Sequence, residues 1–214
     1  ILDGLTLGRI LSERRGGDFR ILAHRVFRKS PDLERVIVPI DFDETKEAAR
    51  ANLAARREAL DYLANGGAIG IFPGGTVSTS ATPFSRPMDP QWRNFTAKMI
   101  ARSEAQVVPI YFDGHNSRLF QIASHLHYTL RMGMLIREFK ARIKNPVRVV
   151  VGDPIKPADL DPYRRDPTAM MDFLRKSTYE LSPRPLAASD HGHEFETNKY
   201  AAKGKERPKG RDLY

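Results

Sequence analysis

Ala68-Ile69-Gly70-Ile71-Phe72-Pro73-Gly74-Gly75-Thr76-Val77-Ser78 is the stretch on which the fold turns. Its first five residues form a continuous apolar run bounded by glycine and proline, too short for a buried helix and of the length of a buried strand. A strand that is apolar on both faces belongs to a sheet covered by helices on either side. Pro73 then ends the strand. Gly74-Gly75 releases the backbone at the sheet edge, where N–H groups and the Thr76 and Ser78 hydroxyls can face a ligand oxygen. Spacing alone says only that a glycine pair makes a turn.

Working outward, Leu2 to Arg14 has helical spacing and stops at Gly16-Gly17. Phe19 to Ala23 and Arg35 to Ile40 are short β-rich runs. From Thr45 to Leu63 the series Ala49, Leu53, Leu60 and Leu63 predicts a helix, with Asp43 or Thr45 as its cap and Asn65-Gly66 as its stop. After Ser78 comes a polar, proline-punctuated loop through Pro83, Pro87 and Pro90, a length of irregular chain that usually carries function. A helix is expected near Pro90, a strand over Val107 to Phe112, a helix over Leu126 to Ile143 and a strand over Val147 to Val151. Helices and strands in alternation predict one α/β domain over residues 1–181, three layers deep, with a mixed or mostly parallel sheet flanked by helices. Beyond Leu181, prolines and charges replace aliphatics, so residues 182–214 are expected to be a disordered polar tail.

Composition bounds the chemistry. The chain has 214 residues, 41% of them hydrophobic, which is enough for a core. Zero cysteines exclude disulfides, thiolate metal sites and cysteine nucleophiles. A net charge of +9 favours anionic partners. Every apolar run is broken by charge well before the roughly 20 residues that a membrane span needs. The chain opens on Ile1, not a methionine, and the expectation is that a longer reading frame precedes it.

Phe72-Pro73-Gly74-Gly75-Thr76-Val77-Ser78 resembles the Phe-Pro-Glu-Gly-Thr-Arg-Ser motif of the lysophospholipid (glycerolipid) acyltransferase family. The segment leading into it, Val107-Val108-Pro109-Ile110 and Val149-Val150-Val151-Gly152-Asp153-Pro154-Ile155 are similar to that family's later segments in the same order, so that the resemblance covers about residues 1–160. The resemblance implies transfer of a fatty acyl group from acyl-CoA or acyl carrier protein, as co-substrate, to a lysolipid acceptor in phospholipid synthesis. It implies no metal or other cofactor, and a cytoplasmic enzyme held peripherally at the inner, anionic face of a membrane. Ile1-Leu2-Asp3-Gly4-Leu5 resembles the aspartate end of the family's histidine–aspartate pair, placing the histidine just before Ile1. In such a pair a neutral imidazole takes the acceptor's proton while the carboxylate fixes its tautomer. Asp3 is therefore the expected catalytic residue in this chain, and the chain starting at Ile1 is expected to be inactive alone.

The resemblance makes Phe72, Pro73, Gly74, Gly75, Thr76 and Ser78 the substrate cradle. Gly74 stands where the family has Glu, Val77 where it has Arg, and Phe42 where an Arg usually follows the aspartate corresponding to Asp41. Arginines at such places suit bidentate contact with a phosphate. Their replacement points to an acceptor other than lysophosphatidate, or to phosphate binding by Arg86, Arg93 or Lys98. A catalytically silent lipid- or partner-binding relative is the alternative. A nucleic-acid-binding module is suggested by charge alone, with no zinc-finger or RNP-like motif behind it, and no nucleic-acid partner is expected.

In the helix over Leu126 to Ile143, Met132, Leu135, Ile136, Phe139 and Ile143 mark the core side, with Arg131, Arg137, Lys140, Arg142 and Lys144 around it. Those cations are either a solvated face or a contact with anionic lipid. Among the histidines, His115 reads as a turn residue bonded to its own loop, His24 as a strand-edge residue, and His125 and His127 as lying on different faces. His191 and His193 fall in the tail and are given no role.

Overall fold

The computed structural model describes residues 2–24, 31–40 and 45–194. The first part of the chain runs through α1 (Leu2–Arg15), β1 (Arg20–His24), α2 (Pro31–Glu34), β2 (Ile37–Ile40), α3 (Lys46–Ala64) and β3 (Ile69–Ile71). The second part holds β4 (Thr79–Ser80), β5 (Pro87–Met88), α4 (Asn94–Ile100), β6 (Ile110–Asp113), α5 (Arg118–Leu126), α6 (Tyr128–Arg142), β7 (Arg148–Val151), α7 (Pro157–Leu160) and α8 (Pro167–Tyr179). Ile1, Asp41, Phe42, Asp43 and the tail beyond residue 194 lie outside the described residues.

β1 lies between β2 and β3 and is parallel to both, with Leu22 opposite Val38 on one side and Ile71 on the other. Side chains alternate across a strand, so the two faces of this sheet receive different neighbours. Leu22, Val38, Ile69 and Ile71 pack toward Ala55 and Ala59 of α3. On the other face Gly8 of α1 rests against Ile21, and a Cβ on Gly70 would come 2.9 Å from the Leu7 and Leu11 side chains. Gly70 is thus the point at which α1 crosses the strand, which is why a glycine interrupts an otherwise apolar run. Helix, sheet and helix make three layers here.

Thr45 caps α3, its side chain accepting the Ala48 N–H at 3.0 Å, and Asn65 ends it before Gly66 turns at φ +80°. The buried stripe of α3 is Ala48, Asn52, Ala55 and Ala59, while Leu53 is exposed. Small side chains bring the helix close to the sheet and leave the leucines at its margin.

The described strands form three small sheets instead of the single sheet expected. β6 and β7 pair antiparallel, Tyr111 opposite Val150, and β4 pairs with β5. The end of β3 meets β6 through side chains, the Phe72 and Phe112 rings lying 5.9 Å apart, and not through a ladder. A second core joins Trp92, Ala97, Leu160, Met170, Met171 and Leu174, contributed by α4, α7, α8 and the loop ahead of α4. No helix among the described residues is long and apolar enough to cross a membrane.

Two expectations need correction. The helix expected over Leu126 to Ile143 is two helices. His127 is extended at φ −161° and ψ 139°, ends α5, and caps α6 by accepting the Thr129 N–H. The tail expected from Ser182 is not free over residues 182–194. Leu186 and Ala188 pack against Met88, Tyr111 and Tyr179, and the buried Arg175 of α8 donates to the Ala188, Asp89 and Asp190 carbonyls. The Gly192 N–H donates to Asp89 O at 2.9 Å and the His193 N–H to Thr79 O at 3.2 Å. A few apolar side chains and one guanidinium are enough to hold a segment whose composition reads as unstructured.

Gly192 passes so close to Met88 O and Thr79 O that a Cβ there would collide with both backbone oxygens. Gly192→Ala should therefore lift this segment, at a cost of about 1–3 kcal/mol. The expected outcome is a melting temperature lower by about 2–4 °C for each kcal/mol and faster proteolysis within residues 182–194. An unchanged melting curve and digestion pattern would contradict the packing described.

Candidate functional site

The motif loop begins as a tight turn. Pro73 supplies the fixed φ that the turn's first central position favours, the Gly75 N–H donates to Phe72 O at 3.0 Å, and Gly75 itself lies at φ +66°. The chain then returns past its own start. The Arg93 N–H donates to Pro73 O at 3.0 Å, and Gly74 is buried against the Asp89 side chain, where a Cβ would stand 3.5 Å away.

Asp89 fastens this loop. One carboxylate oxygen accepts the Ser78 hydroxyl in a short hydrogen bond and the other accepts Trp92 Nε1–H at 3.0 Å. Its backbone N–H donates to the Tyr179 hydroxyl at 3.1 Å. Burial, and then the Asp89 charge, keep that tyrosine protonated well above its ordinary range. The Ser78 hydroxyl, expected to face a ligand, therefore gives its proton inward and positions the loop, while Thr76 is half-buried and Phe72 is exposed beside Phe112.

The far side of the loop is held by α5 and α6. Arg131, expected on the surface, is 3% exposed. Its guanidinium donates to Thr79 Oγ1 at 2.7 Å, Ser124 Oγ at 3.0 Å and Val77 O at 3.1 Å, and it lies over the Phe120 ring. Burial lowers its pKa to about 10, so it remains a cation at neutral pH. Gln121 accepts the Ser80 N–H at 3.0 Å, and His125 Nε2 lies 2.9 Å from Ser80 O. The glycines shape the loop's first half, and buried polar side chains from two helices fix its second half.

Asp3 stands at the start of α1, and its carboxyl pKa is raised by burial, with the chain's amino group and Arg142 opposing and the Asp89 charge adding a smaller upward push. Residue 3 is thus brought into the electrostatic neighbourhood of the loop fastened by Asp89. Arg93 is half-buried with a guanidinium nitrogen 3.7 Å from Glu194, and Arg86 is exposed. The His115 ring bonds to Asn116 O at 3.0 Å within its own loop, and its carbonyl accepts from Arg142. His24 closes β1 opposite Ile40. His193, given no role from sequence, packs its ring 5.0 Å from that of His125. Asp89, the loop-holding role of Arg131, read from sequence as a surface cation, and His193 are what sequence reasoning missed. The Asp-Pro turn signal at Asp89-Pro90 was the one available hint to the first of them.

Comparison with family models, with curated proteins and with solved structures finds no match for this chain. The site is therefore defined by its own geometry: a glycine turn at the end of a parallel strand, a carboxylate that fastens it, and a buried cation beneath it.

Burial, followed by the charges of His125 and Arg131, pushes the His193 pKa below its ordinary value, so the folded chain binds that proton more weakly than the unfolded one. The stability contributed by neutral His193 is complete above the unfolded value of about pH 6.5 and is lost as pH falls from there toward the folded pKa. The melting temperature should therefore fall on acidification from about pH 7 to pH 5, and His193→Gln should flatten that slope. Identical slopes in the two proteins would contradict the arrangement.

Proposed function

We propose that this chain is an acyltransferase domain that moves a fatty acyl group from acyl-CoA or acyl carrier protein to a lysolipid-type acceptor at the inner face of a membrane. One observation carries the proposal. Asp3 and Phe72–Ser78, the two segments that the family resemblance assigns to one site, are linked electrostatically through Asp89, whose charge reaches Asp3 while its carboxylate holds Ser78.

In this proposal an imidazole oriented by Asp3 takes the proton from the acceptor hydroxyl or amine as it attacks the thioester carbonyl. The new C–O or C–N bond forms, the C–S bond breaks, and the proton passes to the leaving thiolate. The Gly75 N–H closes the turn, so the Thr76 N–H and hydroxyl beside it stabilise the oxyanion between the two steps. Arg86 and Arg93 receive the donor's phosphates, Arg93 exchanging its Glu194 partner for them. With Gly74 and Val77 in place of Glu and Arg, the cradle holds its acceptor by neutral hydrogen bonds, which are about half as strong as charge-assisted ones. It favours neutral or zwitterionic head groups over a phosphate monoester.

The test is acyl transfer to a panel of lysolipids, with acyl-CoA and acyl carrier protein as donors, by this chain and by a form extended at its start with a histidine four residues ahead of Asp3. Transfer is expected from the extended form, with Asp3→Ala lowering kcat by about 10²–10⁴-fold and Val77→Arg shifting preference toward lysophosphatidate. Absence of transfer to every acceptor would overturn the proposal in favour of a silent binding relative. Lysophosphatidate as best acceptor of the unchanged protein, with loss on Arg86→Ala or Arg93→Ala, would overturn the acceptor preference alone.

A further inference from the structure

Helix α6 is rotated by about a quarter turn from the orientation its apolar residues predict. Its buried positions include Arg131 and Glu138, seven residues apart on one face; Arg131 holds Thr79 and Val77, and Glu138 accepts both the N–H and the hydroxyl of Ser117. Of the five residues expected to pack the core, Leu135 and Phe139 are half-buried, whereas Met132 (45% exposed), Ile136 (59%) and Ile143 (56%) point outward, in line with Tyr128 (50%). Spacings of four, four and seven keep these four on one stripe, roughly 22 Å long at 1.5 Å per residue. Arg137, Lys140 and Lys144, all exposed, follow on the adjoining face, and Gly133, Ile136, Arg137, Lys140 and Ala141 line a shallow depression between the two.

We infer that this outer face is a membrane-docking surface that lies in the headgroup layer of an anionic bilayer. Met132, Ile136 and Ile143 enter the apolar boundary, and Arg137, Lys140 and Lys144 meet lipid phosphates. Two observations choose this occupant. A straight apolar stripe beside a straight basic stripe matches a medium layered in the same order, apolar interior beside anionic headgroups. The face is also purely cationic, because Glu138 is the helix's one acidic residue and is turned inward. A second copy docked here would set like charges against each other. The inner side of the same helix grips the motif loop, so docking brings that loop within about one helix diameter, 10–12 Å, of the headgroups.

This inference deepens the proposed membrane function, but its test reads binding and needs no turnover, so failure here and failure of acyl transfer are separate results. The full chain is sedimented with vesicles of phosphatidylcholine containing about a quarter phosphatidylglycerol, and with phosphatidylcholine alone. Binding is expected to the anionic vesicles and to weaken with salt. Met132→Ser with Ile136→Ser should lower the partition coefficient about tenfold at both low and high salt, whereas Arg137→Gln with Lys140→Gln should lower it at low salt only. Both pairs change exposed side chains, and unaltered melting curves confirm that the variants are folded. Ile136→Trp should gain lipid-dependent fluorescence that brominated lipid quenches, against the buried Trp92 as constant background. Unchanged binding by the serine pair, or a residue 136 indole that brominated lipid does not quench, would overturn the inference. So would a concentration-dependent dimer that the serine pair abolishes, which would give the face to a second copy.

Discussion

The carboxylate of Asp89 is the contact on which the other parts of the site depend. A glycine-rich turn that leaves a strand has little reason to hold one shape, since glycine loses more conformational entropy on ordering than any other residue. Asp89 supplies that reason. Ser78 and Trp92 donate to its two oxygens, Gly74 packs on its side chain, and its backbone joins Tyr179, Arg175 and Gly192. A hydrogen bond to a carboxylate contributes about 1.5–3 kcal/mol where a neutral one contributes about 1, and this residue receives two.

Once the turn is fixed, the remaining elements have defined places. The second half of the loop lies against Arg131 and Gln121, whose donors and acceptors would be costly to bury unsatisfied. Residues 186–193 then close over β4 and β5, drawn in by Arg175 and admitted by the absence of a side chain on Gly192. The fold thus has two grades of order around the loop: a parallel sheet held by apolar packing, and a polar shell held by a few charged groups. The second grade is the one expected to respond to pH, because it contains His193, whose pKa is lowered by burial and by its cationic neighbours.

Much of the first grade was legible in the sequence, and little of the second. The strands at residues 20–24, 37–40 and 69–71 and the helix after Thr45 follow from local signals, namely apolar runs, a threonine cap and an Asn-Gly stop. Their partners are set by burial, which composition reports. The orientation of α6 was not legible. Its periodic apolar residues suggest a core face, but Arg131 bonds Thr79 at a separation of 52 residues and Glu138 bonds Ser117 at a separation of 21, and these distant contacts override the local pattern. Asp89 escaped notice for the same reason, since Tyr179 lies 90 residues from it. The segment after Leu181 was misjudged because a few contacts, among them Leu186, Ala188 and Gly192, decide its place against a polar average.

The central claim is that the Asp89 carboxylate holds the motif loop while the Asp89 backbone receives the C-terminal segment, and hydrogen–deuterium exchange on Asp89→Asn tests it most directly. The asparagine keeps the size of the side chain but removes its charge and one of its two acceptor oxygens. The account predicts that amides of residues 74–80 lose protection by about tenfold or more if roughly 1.4 kcal/mol or more is lost, while residues 188–193, bound to the Asp89 backbone, and strands β1 and β3 exchange as before. Unchanged protection of residues 74–80, or an equal loss in residues 188–193, would contradict it.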